Sequence, residues 1–183
     1  MTVKVVDIEA TPNPDALKFC VDSKLLEKGT RSFANREAAK SDVIASSLFG
    51  LRHIETVFYM DQFITVSKNP DASWSMIMDE IKKTIESVDL SQHNVTPVQE
   101  TSAAPANEHE LLPKIEDVLK TRVLPYLAND GGSLSVLGME GYQLKIRYQG
   151  ACGSCPSSTS GTLNAIQAML KHTIDQRITV TAG

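Results

Sequence analysis

Cys152 and Cys155 are the residues whose type and spacing best suit chemistry, two thiols three positions apart in Gly150-Ala151-Cys152-Gly153-Ser154-Cys155-Pro156-Ser157-Ser158-Thr159. Gly150 and Gly153 admit positive φ angles and keep side chains away from the sulfurs, so the loop can close tightly around an ion. Pro156 suits a first helical position, where no amide hydrogen is needed, and Ser157, Ser158 and Thr159 can cap or line the opening turn. Leu163, Ile166, Leu170 and Ile174, with Ala165 and Met169 beside them, then recur at the helical period. The thiols are therefore expected at a helix N-terminus. Unsatisfied amides and the helix dipole favour thiolate there, the form that binds metals or attacks disulfides.

The elements that must position this loop begin at Leu112-Pro113. A helix is expected with Ile115, Val118, Leu119, Val123, Tyr126 and Leu127 on its inner face, kinked or restarted at Pro125. Asn129-Asp130-Gly131-Gly132 reads as a stop and a turn that needs glycine geometry, with positioning of the thiol loop by Asp130-Gly131-Gly132 as the alternative. Strands over 133–137 and 142–148 follow, separated by a turn over 138–141. In the second strand Tyr142, Leu144, Ile146 and Tyr148 share one face and Gln143, Lys145 and Arg147 the other, so one side of the sheet is covered and the other wet. Ile178 and Val180 mark a short closing strand, for the order αββαβ.

The first half reads as ββαββα. Strands over 3–9 and 17–21 flank the turn Thr11-Pro12-Asn13-Pro14-Asp15, and a polar loop covers 23–40. Asp42 caps a short helix carrying Val43, Ile44, Leu48 and Phe49, which ends at Gly50. A hairpin turns at Met60-Asp61-Gln62, and a helix from Ser73 lays Trp74, Ile77, Ile81, Ile85 and Val88 over the sheet. Cys20 reads as a small core hydrophobe, Trp74 and Met76 as core rather than a binding surface, and His53 as a strand-end residue. Residues 90–108 are small, polar and proline-spaced, the composition of a flexible linker, so His93 and His109 are expected in solvent. The fold class is thus α+β: two small α/β-sandwich domains, 1–89 and 109–183, joined by the linker 90–108.

The chain has 183 residues, 42% hydrophobic and 22% charged, with a net charge of -4. This composition is ordinary for a soluble protein, and no apolar run is long enough to span a membrane. Seven basic against six acidic residues from His109 onward make nucleic acid an unsuitable partner. The start at Met1-Thr2-Val3-Lys4-Val5 shows neither a signal peptide's apolar block nor an Arg-rich transit segment, and 3 cysteines do not make a disulfide scaffold. A reducing cytoplasm is the expected location.

The stretch Leu124-Pro125-Tyr126-Leu127-Ala128-Asn129-Asp130-Gly131-Gly132, the thiol loop and Thr162-Leu163 closely resemble the C-terminal domain of NifU. Thr11-Pro12-Asn13-Pro14-Asp15-Ala16-Leu17-Lys18-Phe19, Phe58, Phe63-Ile64-Thr65-Val66-Ser67-Lys68 and Trp74 resemble the N-terminal domain of the Nfu iron-sulfur scaffold proteins. The resemblance covers nearly all of the chain outside the linker and the 23–40 loop. It implies a non-enzymatic carrier whose cluster, usually 4Fe-4S with 2Fe-2S the second option, is held by the Cys152 and Cys155 of two subunits. The partners it implies are a second copy as homodimer, upstream cluster-assembly proteins and apo iron-sulfur client proteins. The N-terminal domain is implied to be a recognition or regulatory part. The chain departs from the family pattern in a short end over 177–183.

Ligand counting reaches a similar place. A cluster or closed zinc site generally wants four ligands, while this domain offers two thiols and Cys20 lies beyond the linker, so two copies would supply two each. A structural zinc-bridged dimer fits the same count. A thiol-disulfide oxidoreductase, with Cys152 as nucleophile and Cys155 as resolving thiol, is the enzymatic rival. Three features count against it: the loop is not expected to open a β-α-β unit, Pro156 directly follows the second thiol, and His172 lies roughly 24 Å away along the helix.

Overall fold

The structure, a computed structural model, describes residues 3–89, 109–151 and 156–183, and of 156–160 the backbone alone. The expected linker 90–108, with His93, lies outside the described residues. Two compact units, Met1–Pro97 and Val98–Gly183, divide the chain, and both mix helices with a sheet.

The first unit runs β1 (Val5–Ala10), β2 (Ala16–Val21), β3 (Arg31–Phe33), α1 (Val43–Phe49), β4 (Ile54–Met60), β5 (Phe63–Lys68) and α2 (Trp74–Ser87). Its antiparallel sheet has the order β1-β2-β5-β4-β3. The β4–β5 hairpin closes from Met60 opposite Phe63, with Asp61 in the left-handed region at φ 43. Alternate residues Val57, Tyr59, Ile64, Val66 and Phe19 join one core with Ile44 and Leu48 of α1 and with Ile77, Ile81 and Ile85 of α2. The four-residue spacing of those isoleucines puts them on one helical stripe.

The expected 23–40 loop is corrected: it contains the edge strand β3, which makes the order βββαββα. A three-residue strand carries too little alternation to be read, and what holds it is distant in sequence. Phe33 stacks on Tyr59 with ring centroids 6.1 Å apart, and Arg31 Nη1 lies 3.0 Å from Asp42 Oδ2. Leu25, Leu26 and Ala39 from the same stretch are also buried.

Asp42 does more than cap α1. Its Oδ1 accepts the Ala45 amide at 2.9 Å, while Oδ2 takes Arg31 and the Tyr59 hydroxyl. The residue is only 2% exposed, so its charge relies on these partners in place of water. Burial, and next the Asp42 charge, push the Tyr59 hydroxyl's ionisation far above its usual range. At the opposite sheet edge, carboxylates occupy two β1 amides: Asp7 accepts from Ile8 at 2.8 Å and Glu86 from Val5 at 3.3 Å. That discourages pairing with another strand.

The second unit runs α3 (Leu112–Val118), a π-helical turn (Leu119–Val123), α4 (Leu124–Asn129), β6 (Gly132–Glu140), β7 (Gln143–Gly150), α5 (Pro156–Thr173) and β8 (Thr179–Ala182). The expected interruption at Pro125 takes the form of the π turn, in which the Leu124 amide reaches back to Leu119 O. Widening the helix just before a proline accommodates both its missing amide hydrogen and its ring. The expected 138–141 turn is corrected as well. Gly138, at φ 146, lies within β6 at a bulge between Val136 and Gly138, and the chain reverses at Gly141 and Tyr142.

The sheet order is β6-β7-β8, with β7 and β8 parallel. As expected, Leu144, Ile146 and Tyr148 are buried while Gln143 and Arg147 are exposed. They share a core with Ile115, Leu119, Val123 and Leu127 from the helical segment and with Ile166, Leu170, Ile178 and Val180. Gln167 Oε1 accepts the Val180 amide at 2.9 Å and ties α5 to β8.

Around Tyr142, the Arg177 guanidinium carbon lies 3.9 Å from the ring centre and His109 meets the ring edge-on at 6.1 Å. His109 is therefore half-buried against an aromatic ring, where the composition of its surroundings pointed to solvent. Arg177 also forks onto Asp175, through Nε at 3.0 Å and Nη2 at 2.8 Å.

Removing the Asp42 carboxylate by Asp42→Ala is expected to cost about 3–5 kcal/mol in urea unfolding, because it breaks the ion pair that the buried carboxylate makes with Arg31 and uncaps α1 together. Tyr59→Phe deletes one donor and is expected to cost about 1–3 kcal/mol. The side-chain and backbone hydrogen bonds from Arg177 hold the Asp175 carboxyl down from 3.8 to about 2. Since the folded value is the lower one, its contribution to stability is present above 3.8 and is lost as pH falls through about 2. A carboxyl titration by NMR should place Asp175 near that value, and Arg177→Ala should return it toward 3.8.

Candidate metal centre

The thiol loop leaves the second unit where β7 ends. Gly150, at φ 70, pairs with Gly132 at the start of β6, so the two strands close at glycines on both sides. One residue further, the Ala151 amide donates to Gly131 O at 3.2 Å. Ala151 is 1% exposed, and the root of the loop is thus tied to protein on both backbone and side chain.

The acceptor of that bond comes from the end of α4. Asp130 N–H donates to Tyr126 O at 3.1 Å and Gly131 N–H to Ala128 O at 3.1 Å, after which Gly131 takes φ 74. A left-handed residue here ends the helix and turns its own carbonyl toward Ala151; glycine adopts it without a Cβ penalty. The Asp130-Gly131-Gly132 stretch is therefore the expected turn and also, as the alternative reading had it, a tie to the root of the thiol loop. Its signal in the sequence was the paired glycines, which a simple stop does not need.

Cys152 and Cys155 themselves lie outside the described residues. Backbone on either side frames them: Ala151 is fixed as above, and α5 starts at Pro156 and runs for 18 residues, as its period predicts. The expectation that this loop would not open a β-α-β unit is overturned. Parallel pairing of β7 with β8 makes β7, α5 and β8 one such unit, because the chain must cross the sheet through α5 to run parallel. Ala151, at the root of the loop, accordingly follows the carboxyl end of the strand that pairs in parallel with β8.

Among the described residues, no group of three or more His, Cys, Asp or Glu side chains is gathered to hold a metal. Cys20 is half-buried on β2, and its thiol is pushed up, first by burial and then by Glu9, against the pull of Lys18. A thiol that resists ionisation makes a poor ligand. His53 precedes β4 at φ 70, and His172 lies in the last turn of α5, at the end remote from the thiols. Lys145 is paired with Glu140 at 2.9 Å, and Arg147 is exposed on the wet face.

Two aromatic-stripe readings separate. Trp74 is half-buried; its Nε1 donates to Pro14 O at 2.9 Å and Lys68 Nζ lies 5.5 Å from the ring centre, so it braces the 11–15 turn. Met76, expected in the core, is 76% exposed. It follows Trp74 by two positions, which puts it about 200° around the helix and off the stripe.

A family model described as the scaffold protein Nfu/NifU N-terminal domain matches residues 6–92, and one described as the NifU-like domain matches residues 115–181. The chain belongs to the Nfu/NifU family. A relative in Drosophila erecta, named NFU1 iron-sulfur cluster scaffold homolog, mitochondrial, is 34% identical over 176 residues, 93% of this chain and 62% of the relative. NifU-like protein 5, mitochondrial, of Arabidopsis thaliana is 30% identical over 178 residues, 93% of this chain and 65% of that protein. This Nfu/NifU chain thus spans less than two thirds of the length of these curated relatives. A solution structure of a NifU-like protein from Saccharomyces cerevisiae aligns over 45% of this chain and 76% of its own, at 23% identity and a TM-score of 0.40.

Gly131→Ala forces a Cβ into the left-handed region and is expected to cost about 1–2 kcal/mol in urea unfolding. Gly131→Asn, which tolerates that region, should recover part of the loss. Equal costs for the two would refute the assignment of Gly131 by its backbone angle.

Proposed function

We propose that the chain is an iron-sulfur cluster scaffold and carrier, receiving or assembling a cluster on Cys152 and Cys155 of two copies and passing it to apo-proteins. The observation that carries this reading is a two-thiol motif, anchored through Ala151, in a chain with both an Nfu N-terminal and a NifU-like domain. The names of the fly and plant relatives are consistent with it. The proposed cargo is 4Fe-4S, with 2Fe-2S as the smaller alternative, since four thiolates serve either.

Two ligands per chain make a bridging homodimer the simplest way to complete four. A cluster held at a surface loop, by two thiolates from each side, can leave by ligand exchange. Client cysteines replace Cys152 and Cys155 one at a time, each client thiol giving up a proton as a departing thiolate gains one. No electron needs to move. The chain needs no catalytic residue for this exchange, and we assign none. The thiols must stay reduced and unpaired between loads, which suits the cytoplasm or another reducing compartment.

One observation favours a second reading. The loop opens the helix of a β-α-β unit, as in thioredoxin-like enzymes, so disulfide exchange at Cys152 must be tested alongside.

Anaerobic reconstitution with iron and sulfide should give a brown dimer with about four irons and four sulfides per pair of chains. Cys152→Ser should lose both colour and dimer, and insulin reduction with a dithiol donor should show little turnover. A full cluster on the Cys152→Ser protein would sink the proposal, and a colourless zinc-loaded dimer would replace it with a structural staple.

A further inference from the structure

We infer that the first unit carries a docking groove for a short acidic segment of a partner protein. The groove, about 470 Å³, opens between the end of α1 and the start of β4. Phe49, Leu51 and Ile54 supply its apolar lining, and Arg36, Arg52, His53 and Glu55 its polar one. Arginines outnumber carboxylates two to one here, on a chain whose net charge is -4. This local reversal of sign is what a negatively charged segment would find complementary.

The two arginines are prepared in different ways. Arg36 points Nε, at 2.9 Å, and Nη2 at the Phe49 carbonyl, so the carbonyl end of α1 fixes its guanidinium in place. Arg52 is exposed and makes no hydrogen bond or ion pair among the described residues, which leaves its full fork of donors available to a carboxylate. Between Arg52 and β4, His53 is held at φ 70, with its carbonyl accepting the Asn69 amide at 2.8 Å. A non-glycine residue in this region costs energy and persists because its surroundings impose it; such residues gather at binding sites. An apolar lining beside one fixed and one free guanidinium group suits carboxylate side chains alternating with an aliphatic one. A bare anion would leave the apolar lining unused.

The test is a titration of the 15N-labelled full chain with the peptide acetyl-Glu-Leu-Glu-Leu-Glu-amide, followed by backbone amide shifts. Shifts confined to residues 34–36 and 49–55 are expected, and the matching Lys-Leu-Lys-Leu-Lys peptide should produce none. Arg52→Gln, at an exposed position where the fold is indifferent, should weaken binding roughly tenfold. Glu55→Gln should strengthen it by removing the opposing charge. The inference is overturned by the absence of shifts at millimolar peptide, by an equal response to the lysine peptide, or by an unchanged affinity in Arg52→Gln. It is equally overturned if inorganic phosphate alone reproduces the shifts and displaces the peptide, which would mark a small-anion site. None of these readings depends on the thiol loop, so they stand apart from the fate of the cluster proposal.

Discussion

The placement of the thiol loop depends on two adjacent backbone contacts, the pairing of Gly132 with Gly150 and the hydrogen bond from Ala151 to Gly131. Through them, α4, β6 and β7 meet within a few residues of the loop. Helix stop and strand end use glycine there, Gly131 at φ 74 and Gly150 at φ 70, a region that strains a residue bearing a Cβ. Strain or motion in α4 would therefore reach the loop directly, and the π turn that precedes Pro125 helps to set how α4 enters this junction.

The first unit solves a different problem. Its helices and sheet share a conventional apolar core, yet β3 and α1 are tied together by one buried carboxylate. Asp42 couples a helix cap, an ion pair and a phenol hydrogen bond, so loss of its carboxylate removes all three at once. The short edge strand, which has little pairing of its own, owes its position to that coupling.

Much of this was legible in the sequence where a repeating pattern carries the information. Ile77, Ile81 and Ile85 announced α2, and alternate Leu144, Ile146 and Tyr148 announced the covered face of β7. The glycines and the proline marked the turn and the helix start on either side of the candidate site, whose thiols lie outside the described residues. Features set by distant partners were hidden: β3 through Arg31 and Phe33, and the parallel return of β8 across the sheet. Gly138 misled because a strand bulge and a tight turn draw on the same backbone freedom. Met76 misled because its hydrophobicity suggested burial, while its helical phase two residues after Trp74 did not.

The crossover from β7 through α5 to β8 also sets an order of events during folding. The β6–β7 hairpin joins neighbours in sequence and can form early, whereas β8 must wait until α5 has crossed the sheet to meet β7. Loop-closure entropy makes that second step the slower one. Because the thiol loop lies inside this crossover, the junction of Ala151 with α5 would be among the last parts of the unit to form. A chain caught in between would present the two cysteines without that frame, and would be the form most open to oxidation or to misplaced metal.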